Sequence, residues 1–276
     1  MFEIPECVVL AKQINESLQG KTITGGDLGN SPHKFVWYNR NPDEFDKLIR
    51  GKSVGRARVK GRWLLIPLEP GYTLVLGECG GKIIYHPAGS KFPKKYHLSI
   101  TFADDSFLTA TTQMWGAMEL YEEGEELNRE YIKDMNPTPL DEAFSFDYFT
   151  DLIDTLVTDK KRSVKSLLTQ DQIIPGLGNA IAQDIMFLAR LHPRHPITDL
   201  SSDQRKNLFN SIISTVDEII GRGGRYDEFD LYNQKGGYIR LMDKNAVKRP
   251  CLGCGGAVQK IQYLGGSCYL CPNCQK

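Results

Sequence analysis

The sequence predicts an α+β protein with more than one domain, and three observations support this prediction. Short runs rich in branched and aromatic residues, separated by Gly, Pro and Asp, fill the stretch from Thr22 to Tyr121. This pattern is typical of an antiparallel β-domain of about eight strands, arranged as a sandwich. Helical spacing of apolar residues begins at Phe144, and five of the seven cysteines lie between Cys251 and Cys274. The length of 276 residues suits about two domains, each large enough to form its own core.

The composition excludes several classes of protein. With 41% hydrophobic and 25% charged residues, the chain is neither intrinsically disordered nor fibrous. It contains no stretch of about 18 apolar residues, so we expect no membrane span and no membrane partner. The N-terminal segment also lacks the basic flank of a secretory signal, which predicts a cytoplasmic protein.

Apolar spacing and capping signals predict the helices. Residues 8–19 carry an apolar stripe at helical spacing, so a helix is expected before the β-domain. An acidic stretch that contains Asn-Pro-Thr-Pro at 136–139 is predicted to be a linker. Three more helices are expected after it, beginning near Phe144, Val164 and Ser201. The last should start at the capping box Ser201-x-x-Gln204 and end at Gly221, where a glycine-punctuated stretch begins.

The net charge is zero, but the charges are unevenly distributed. Residues 1–125 carry 15 basic and 15 acidic residues, residues 126–159 carry 2 and 9, and residues 160–276 carry 17 and 10. Within the first part, residues 50–62 contain six Lys and Arg residues and no acid. Such a run is either a solvated face or a stripe that binds the phosphates of a nucleic acid.

The C-terminal cysteines predict a metal site. Cys251 and Cys254 form one C-x-x-C pair, and Cys271 and Cys274 form a second pair 16 residues later. Two such pairs supply the four soft ligands of a tetrahedral zinc ion and leave no open coordination position, so we expect one structural zinc. Metal binding would then supply the folding free energy of this short segment. Cys268 could compete as a ligand, but a buried strand position is the favoured interpretation.

A glycine-containing turn follows the expected helix near Val164 and leads into the start of a further helix. Gly176-Leu-Gly178-Asn179 would let a ligand approach the backbone closely, and Asn179 could cap the helix that follows. The amides at that helix start would attract a phosphate, and Lys165 and Arg190 nearby favour DNA. The alternative is an ordinary capped turn without a ligand.

These motifs together resemble the formamidopyrimidine-DNA glycosylase and endonuclease VIII family. The resemblance includes EIPE at the start, NPTPLDEAF, LTQDQ followed by IIPGLGNAIAQDIMFLARLHP, GGYIRL, and the final C-x2-C-x16-C-x2-C-Q-K. It implies an N-terminal β-sandwich, a helical domain with a helix–two-turns–helix motif, and a C-terminal zinc finger hairpin. The expected segments are residues 1–125, a linker at 126–145, the helical domain at 146–240 and the finger at 241–276.

The resemblance also implies an activity and a partner. Members of this family flip a damaged base out of duplex DNA, and an N-terminal amine attacks the sugar C1′ and forms a Schiff base. We therefore expect a monomer that binds duplex DNA containing a damaged base or an abasic site, close to the nucleoid. Base choice is expected to depend on a mobile loop within residues 221–240.

The catalytic positions match the family only in part. The family begins Met-Pro-Glu and uses the proline amine, whereas Phe2 stands at that position here. A bulky second residue predicts that Met1 is retained. Glu3 matches the general acid/base and Glu6 the second acid of the motif, while Arg62 replaces a lysine and keeps only its charge.

The DNA-binding positions also match in part. Lys165 and Asn179 correspond to the family's residues, whereas Gly266 replaces the finger arginine that clamps a phosphate, and Glu78 replaces a void-filling methionine. Met114 and Trp115, in the segment that would fill the hole left by the flipped base, are either a wedge or core strand residues. A further departure is Asp184, where the family has glutamate.

Two functions remain open. The first is a DNA glycosylase with weak abasic-site lyase activity, in which the Met1 amine, Lys60, or a water activated by Glu3 takes the place of proline. The second is a catalytically impaired protein that binds damaged DNA or abasic sites, suggested by the joint loss of proline, lysine and finger arginine. We favour the enzyme, because Glu3 has little reason to remain in a pure binding protein.

Overall fold

The computed structural model describes residues 1–31, 33–78, 80–157 and 162–276. The chain forms two compact units. Unit 1 contains residues 1–135 and 220–238, and unit 2 contains residues 136–219 and 239–276. This division differs from the predicted segments, because residues 220–238 group with the β-domain and not with the helical domain. The predicted limits at 125, 145 and 240 remain predictions.

The first helix, α1, spans Ile4–Ser17 and starts before the predicted apolar stripe. Its early start follows from a capping box in which Glu3 is the N-cap and Glu6 the third helical residue, with a proline in the first turn. The Glu6 carboxylate accepts a hydrogen bond from the Glu3 backbone N–H at 3.0 Å. The two carboxylates expected at the active site therefore also set the start of the helix.

Among the described residues of unit 1, ten strands form two sheets, more than the predicted number because some strands are only two or three residues long. One sheet has the antiparallel order β1-β8-β9-β7, and the other has the order β2-β10-β6-β5-β3, with β4 paired to β5. Only the short β2 runs parallel to its neighbour among these pairs. The strands are β1 Ile23–Leu28, β2 Val36–Trp37, β3 Ser53–Val54, β4 Arg58–Lys60, β5 Trp63–Glu69, β6 Tyr72–Gly77, β7 Lys82–His86, β8 Leu98–Phe102, β9 Phe107–Thr111 and β10 Gly116–Glu122.

The two sheets share one apolar core. Ile66 on β5 and Leu76 on β6 belong to the same buried cluster as Ile23 on β1 and Ile100 on β8. Side chains of α1 complete this core, and so does Phe2, which is only 3% exposed. The predicted β-sandwich is therefore confirmed. Two short helices, α2 at Pro42–Ile49 and α3 at Glu130–Lys133, also belong to unit 1.

The predicted helices are present in the second part of the chain. They are α4 Phe146–Leu156, α5 Val164–Thr169, α6 Asn179–Leu188 and α7 Ser202–Gly221. At the start of α7, the Gln204 side chain accepts from Ser201 N–H at 2.9 Å and the Ser201 hydroxyl accepts from Gln204 N–H at 3.3 Å, as the capping box predicts. Among the described residues, no helix is long and apolar enough to cross a membrane.

The C-terminal segment of unit 2 forms a hairpin. Strand β11 (Gln259–Tyr263) pairs antiparallel with β12 (Gly266–Leu270). Cys268 lies on β12 and is fully buried, in agreement with the interpretation as a strand residue.

Candidate active site and metal centre

A buried arginine in unit 1 forms ion pairs with the carboxylates of Glu3 and Glu6. Arg225 is only 1% exposed. Its Nε donates to Glu6 Oε1 at 2.9 Å and its Nη2 to Glu6 Oε2 at 2.8 Å, so the pair is bidentate. Its Nη1 lies 3.8 Å from Glu3 Oε1. Burial lowers the pKa of Arg225, but the charges of Glu6 and Glu3 outweigh this effect and raise the pKa well above its usual value. The guanidinium is therefore permanently charged.

The N-terminal amine lies at the edge of the same cluster. The Met1 amine is 2.6 Å from Glu228 Oε1, and the Met1 carbonyl accepts a hydrogen bond from Arg225 Nη2 at 2.9 Å. Burial raises the pKa of Glu228, while the charges of the Met1 amine and of Arg225 oppose the rise. A carboxylate with a raised pKa beside an amine can take up a proton from it, and only an unprotonated amine is nucleophilic.

Arg225 and Glu228 were not identified from the sequence. Both lie in the glycine-punctuated stretch. Arg225 and Glu6 are 219 positions apart in the sequence, so no local pattern indicates their contact. The stretch was expected to contain a mobile loop, but Leu231 is fully buried in the sandwich core. The Leu231 backbone also bonds to the Gln13 side chain and to Tyr85 N–H. This part of the predicted loop is therefore packed against the β-domain.

The basic run places one residue near Met1. Arg62, in the turn after β4, pairs with Glu78 at 2.6 Å, and its Nη1 lies 3.9 Å from Met1 Sδ. The Nε of Arg62 is buried and has no hydrogen-bond partner among the described residues. Lys60 ends β4 with an exposed side chain. Arg62 is thus the member of the run that borders the N-terminal cluster.

Met114 and Trp115 lie between β9 and β10 and are not core residues. Met114 is 60% exposed and Trp115 is 39% exposed. The Trp115 ring stacks on Trp37, with centroids 5.2 Å apart and an interplanar angle of 9°. The structure therefore contradicts the inward-packed alternative and leaves the predicted wedge available.

In unit 2, the predicted phosphate-binding residues converge. The Lys165 side chain is buried, and its Nζ donates to the Tyr263 carbonyl at 2.6 Å. A Cβ added at Gly266 would lie 3.5 Å from Asn179 Nδ2 and 3.6 Å from Lys165 Nζ. The expectation that Asn179 caps α6 is wrong, because Gly178 is the N-cap and Asn179 is the first helical residue. The Asn179 side chain is exposed and free to face a ligand.

Asp184, which replaces a family glutamate, has a structural contact in unit 2. It is fully buried, and its two carboxylate oxygens accept hydrogen bonds from the backbone N–H groups of Leu241 at 2.9 Å and Met242 at 2.7 Å. This bidentate acceptor joins α6 to the segment that leads to the cysteines.

The four predicted cysteine ligands form one cluster, and their Sγ atoms lie within 4.8 Å of one another. Cys251 Sγ is 3.7 Å from Cys274 Sγ, and Cys254 Sγ is 3.5 Å from Cys271 Sγ. A tetrahedron with Zn–S bonds of about 2.3 Å requires S···S distances of roughly 3.8 Å, so the thiol set fits one zinc ion. Cys268 is outside this set.

Comparisons with known proteins agree with this arrangement. Residues 1–118 match the model of the formamidopyrimidine-DNA glycosylase N-terminal domain, and residues 135–229 match that of the H2TH domain of the same enzyme. A formamidopyrimidine-DNA glycosylase of Desulforamulus reducens is 30% identical over 285 residues, covering 100% of this chain and 99% of the relative. The chain belongs to the formamidopyrimidine-DNA glycosylase family. The Bacillus licheniformis member is 27% identical over 281 residues, with full coverage of both chains.

Solved structures show the same fold. Lactococcus lactis Fpg in a complex with DNA that contains an abasic site superposes with a TM-score of 0.86 at 23% identity, covering 99% of each chain. A complex of the wild-type Lactococcus enzyme with DNA that contains N7-benzyl-Fapy-dG gives the same TM-score of 0.86. The family and the fold class predicted from the sequence are therefore confirmed.

Proposed function

We propose that this protein is a base-excision repair DNA glycosylase that binds duplex DNA containing a damaged base or an abasic site. Membership of the formamidopyrimidine-DNA glycosylase family over the whole chain supports the reaction class. The observation that carries the proposal for this chain is the contact between the Met1 amine and Glu228 at 2.6 Å, beside the buried Glu3. We further propose that the protein acts as a monomer in the cytoplasm, at the nucleoid, and holds one structural zinc.

The proposed reaction uses the Met1 amine as nucleophile. Glu228 accepts a proton from the ammonium, and the free amine lone pair forms a bond to the sugar C1′. The bond from C1′ to the base breaks, and the base leaves with a proton from Glu3 acting as general acid. The Glu3 carboxylate takes the second proton from the nitrogen and delivers it to the ring oxygen O4′ as the C1′–O4′ bond breaks, which gives the protonated Schiff base. β-Elimination then removes a proton from C2′ and expels the 3′ phosphate, which cleaves the strand.

Other residues have supporting roles in this proposal. Glu6 holds Arg225, and Arg225 in turn holds the Met1 carbonyl, so the amine has a fixed position. Arg62, whose Nε has no hydrogen-bond partner within the described part of the chain, supplies a positive charge for an anionic group of the substrate. Contacts to DNA phosphates are assigned in the same proposal to Lys60, Lys165 and Asn179. The wedge that fills the hole left by the flipped base is assigned to Met114 and Trp115.

A catalytically impaired binding protein is the second candidate. The observation that favours it is that Arg225 forms a bidentate hydrogen-bonded pair with Glu6 and an ion pair with Glu3. Because Arg225 neutralises both carboxylates, neither is as strong a base as a free carboxylate. In this case the phosphate-binding residues of unit 2 would still bind DNA.

Borohydride trapping on an abasic-site duplex tests the proposal, because reduction of a Schiff base gives a stable covalent adduct. We expect an adduct whose mass map places the sugar on Met1 and slower trapping with Glu228→Gln. On a second duplex that carries a damaged base, we expect loss of base release with Glu3→Gln. Lys60→Ala removes the alternative amine, and at protein concentrations that saturate the duplex it should trap like the wild type. An adduct on Lys60 would contradict the assignment of the nucleophile, and duplex binding without any adduct would favour the second candidate.

A further inference from the structure

All three tryptophans of the chain line one cavity in unit 1. The cavity has a volume of about 490 Å³, within the range of small-ligand sites. Trp37, Trp63 and Trp115 come from β2, β5 and the turn before β10, so three separate segments bring their aromatic rings together. Neither the zinc site nor the N-terminal reaction requires this arrangement.

The walls of the cavity are two pairs of nearly parallel rings. Trp37 stacks on Trp115 with an interplanar angle of 9°, and Trp63 stacks on Tyr131 at 6.4 Å with an angle of 13°. Trp37 is 45% exposed and Tyr131 is 61% exposed, so flat aromatic faces remain open to solvent. Exposed aromatic surface grouped in this way is typical of a binding site.

The position of Trp63 depends on a glycine of the neighbouring strand. Trp63 pairs with Gly77 across β5 and β6. A Cβ at Gly77 would lie 1.7 Å from the Trp63 ring, so only glycine leaves room for the indole. The ring is therefore held flat against the sheet.

A charged pair supplies polar groups in the same cavity. The Arg129 guanidinium lies 3.8 Å from the Trp63 ring centroid and donates from Nε to Glu119 Oε2 at 2.6 Å. Glu119 is only 9% exposed and also accepts from the Tyr121 hydroxyl at 3.2 Å. Donors and acceptors are thus available beside an aromatic ring, where the edge of a planar heterocycle would lie.

The cavity borders the candidate active site within unit 1. Glu78 lines the cavity and pairs with Arg62, whose Nη1 contacts the Met1 side chain. When a glycosylase extracts one base from a duplex, the opposite base loses its partner and part of its stacking. Aromatic side chains can stack on any base, because every base has a π-face.

We propose that this aromatic cavity is a stacking site for the nucleobase that is left unpaired when the protein binds DNA at a damaged or abasic position. The proposal rests on the proposed function, since it needs a DNA substrate. The base stacks on the exposed rings, and Glu119 and Arg129 face its hydrogen-bonding edge.

Tryptophan fluorescence tests the proposal directly, because all tryptophan emission comes from the cavity. The protein is titrated with an abasic-site duplex that carries 2-aminopurine opposite the abasic position. The comparison duplex carries 2-aminopurine several pairs away, and free 2-aminopurine nucleoside is a third ligand. We expect a change in tryptophan emission with both duplexes and a change in 2-aminopurine emission only in the first. A response to the nucleoside but not to the duplexes would assign the cavity to free bases and overturn the proposal.

Variants separate this site from general DNA binding. Trp37→Ala and Tyr131→Ala should weaken binding of the abasic-site duplex about five- to a hundredfold, the effect of losing base stacking, and leave undamaged duplex almost unaffected. Trp37→Phe keeps a ring and should retain most of the affinity. Phe92→Ala is the matched control, because Phe92 is a 40% exposed aromatic residue of unit 1 outside the cavity.

The outcomes also distinguish this proposal from the proposed function. The assignment of the stacking site is wrong if the wild type binds the duplex without a change in tryptophan emission. It is also wrong if Trp37→Ala and Tyr131→Ala behave like Phe92→Ala. In both cases the proposal that the protein binds DNA is unaffected. If the wild type binds no duplex at all, the proposed function itself fails.

Discussion

The two units differ in the hydrogen-bond partners of their buried, positively charged side chains. In unit 1, the Arg225 guanidinium is neutralised within the protein by Glu6 and Glu3. In unit 2, the buried Lys165 ammonium donates to the Tyr263 carbonyl, a neutral acceptor, and lies close to Gly266 and Asn179. Among the described residues, no carboxylate lies within ion-pair distance of Lys165, and a buried charge without a counterion is costly. This contrast supports the proposal that unit 2 binds an external anion, whereas Arg225 in unit 1 already has carboxylate partners.

The largest expected effect concerns the metal centre of unit 2. Removal of zinc by a chelator, or Cys271→Ser, should unfold residues 250–276, because structural zinc contributes about 10–16 kcal/mol in isolated zinc-finger peptides. Unit 1 should keep its fold, since its core contains no part of this cluster. Zinc content and circular dichroism measure the effect.

Cys268→Ala is the control for this prediction, because Cys268 is buried but lies outside the ligand set. It should retain one zinc per chain. Equal loss of metal from Cys268→Ala and Cys271→Ser would show that the ligand set is wrong.

The next effect tests the charge balance of unit 1. Arg225→Met leaves Glu3 and Glu6 buried without their counterion and should lower the free energy of unfolding by about 3–5 kcal/mol. Arg225→Lys keeps the charge but loses the bidentate geometry, so its loss should be smaller. Thermal and denaturant unfolding measure both variants.

Lys235→Met removes an exposed charge from the same segment and should change stability by no more than about 0.5 kcal/mol. If Arg225→Met unfolds like Lys235→Met, the carboxylates do not depend on Arg225. The contrast between the two units would then disappear.

Features that depend on residues close together in the sequence were predicted, and contacts between residues far apart in the sequence were missed. The C-x-x-C pairs and the Ser201 capping box are short-range patterns, and their geometry follows directly from spacing. Phe2 was interpreted as a missing nucleophile and as the reason that Met1 is retained, and its burial in the sandwich core was not foreseen. This role depends on strands far along the chain.

The same reasoning explains the tryptophan cavity and the Arg225 cluster. Trp37, Trp63 and Trp115 are isolated in the sequence, and only sheet order brings β2, β10, β6 and β5 side by side. Arg225 reaches Glu6 because residues 220–238 return to unit 1. Nothing in the composition of that segment indicates its partner.

The third prediction concerns the proposed phosphate-binding site of unit 2. Gly266→Arg places a guanidinium next to Lys165 and Asn179, and the added Cβ meets their side chains at ordinary contact distances of 3.5–3.6 Å. A hydrogen bond to a charged group contributes about 1.5–3 kcal/mol, so duplex affinity should rise roughly ten- to a hundredfold. The slope of log affinity against log salt should steepen by about one unit. Binding isotherms at several salt concentrations measure both.

Ser267→Arg is the matched control, because it adds the same charge one residue along β12, where the side chain points to the opposite face. It should raise affinity much less. An equal gain from both variants would mean that net charge, and not the geometry around Lys165, determines binding.

The smallest expected effect is the pH dependence that arises from His97 in unit 1. Burial, and then the nearby His33, lower the pKa of His97 below its usual 6.5. His97 Nδ1 accepts a hydrogen bond from Thr112 N–H at 2.9 Å, at the start of the turn that carries Trp115. Because the folded pKa is depressed, this contribution to stability is complete above pH 6.5 and is lost as the pH falls through the folded pKa.

Acidification should therefore weaken the Thr112 contact and change the environment of Trp115, at a cost close to that of one hydrogen bond, about 1 kcal/mol. Tryptophan emission during unfolding reports on unit 1 alone, since all three tryptophans belong to it. His97→Gln offers an acceptor that does not titrate and should flatten the profile below pH 6.5, whereas His86 contributes equally in both proteins. Parallel profiles for wild type and His97→Gln would show that the turn does not depend on a neutral His97.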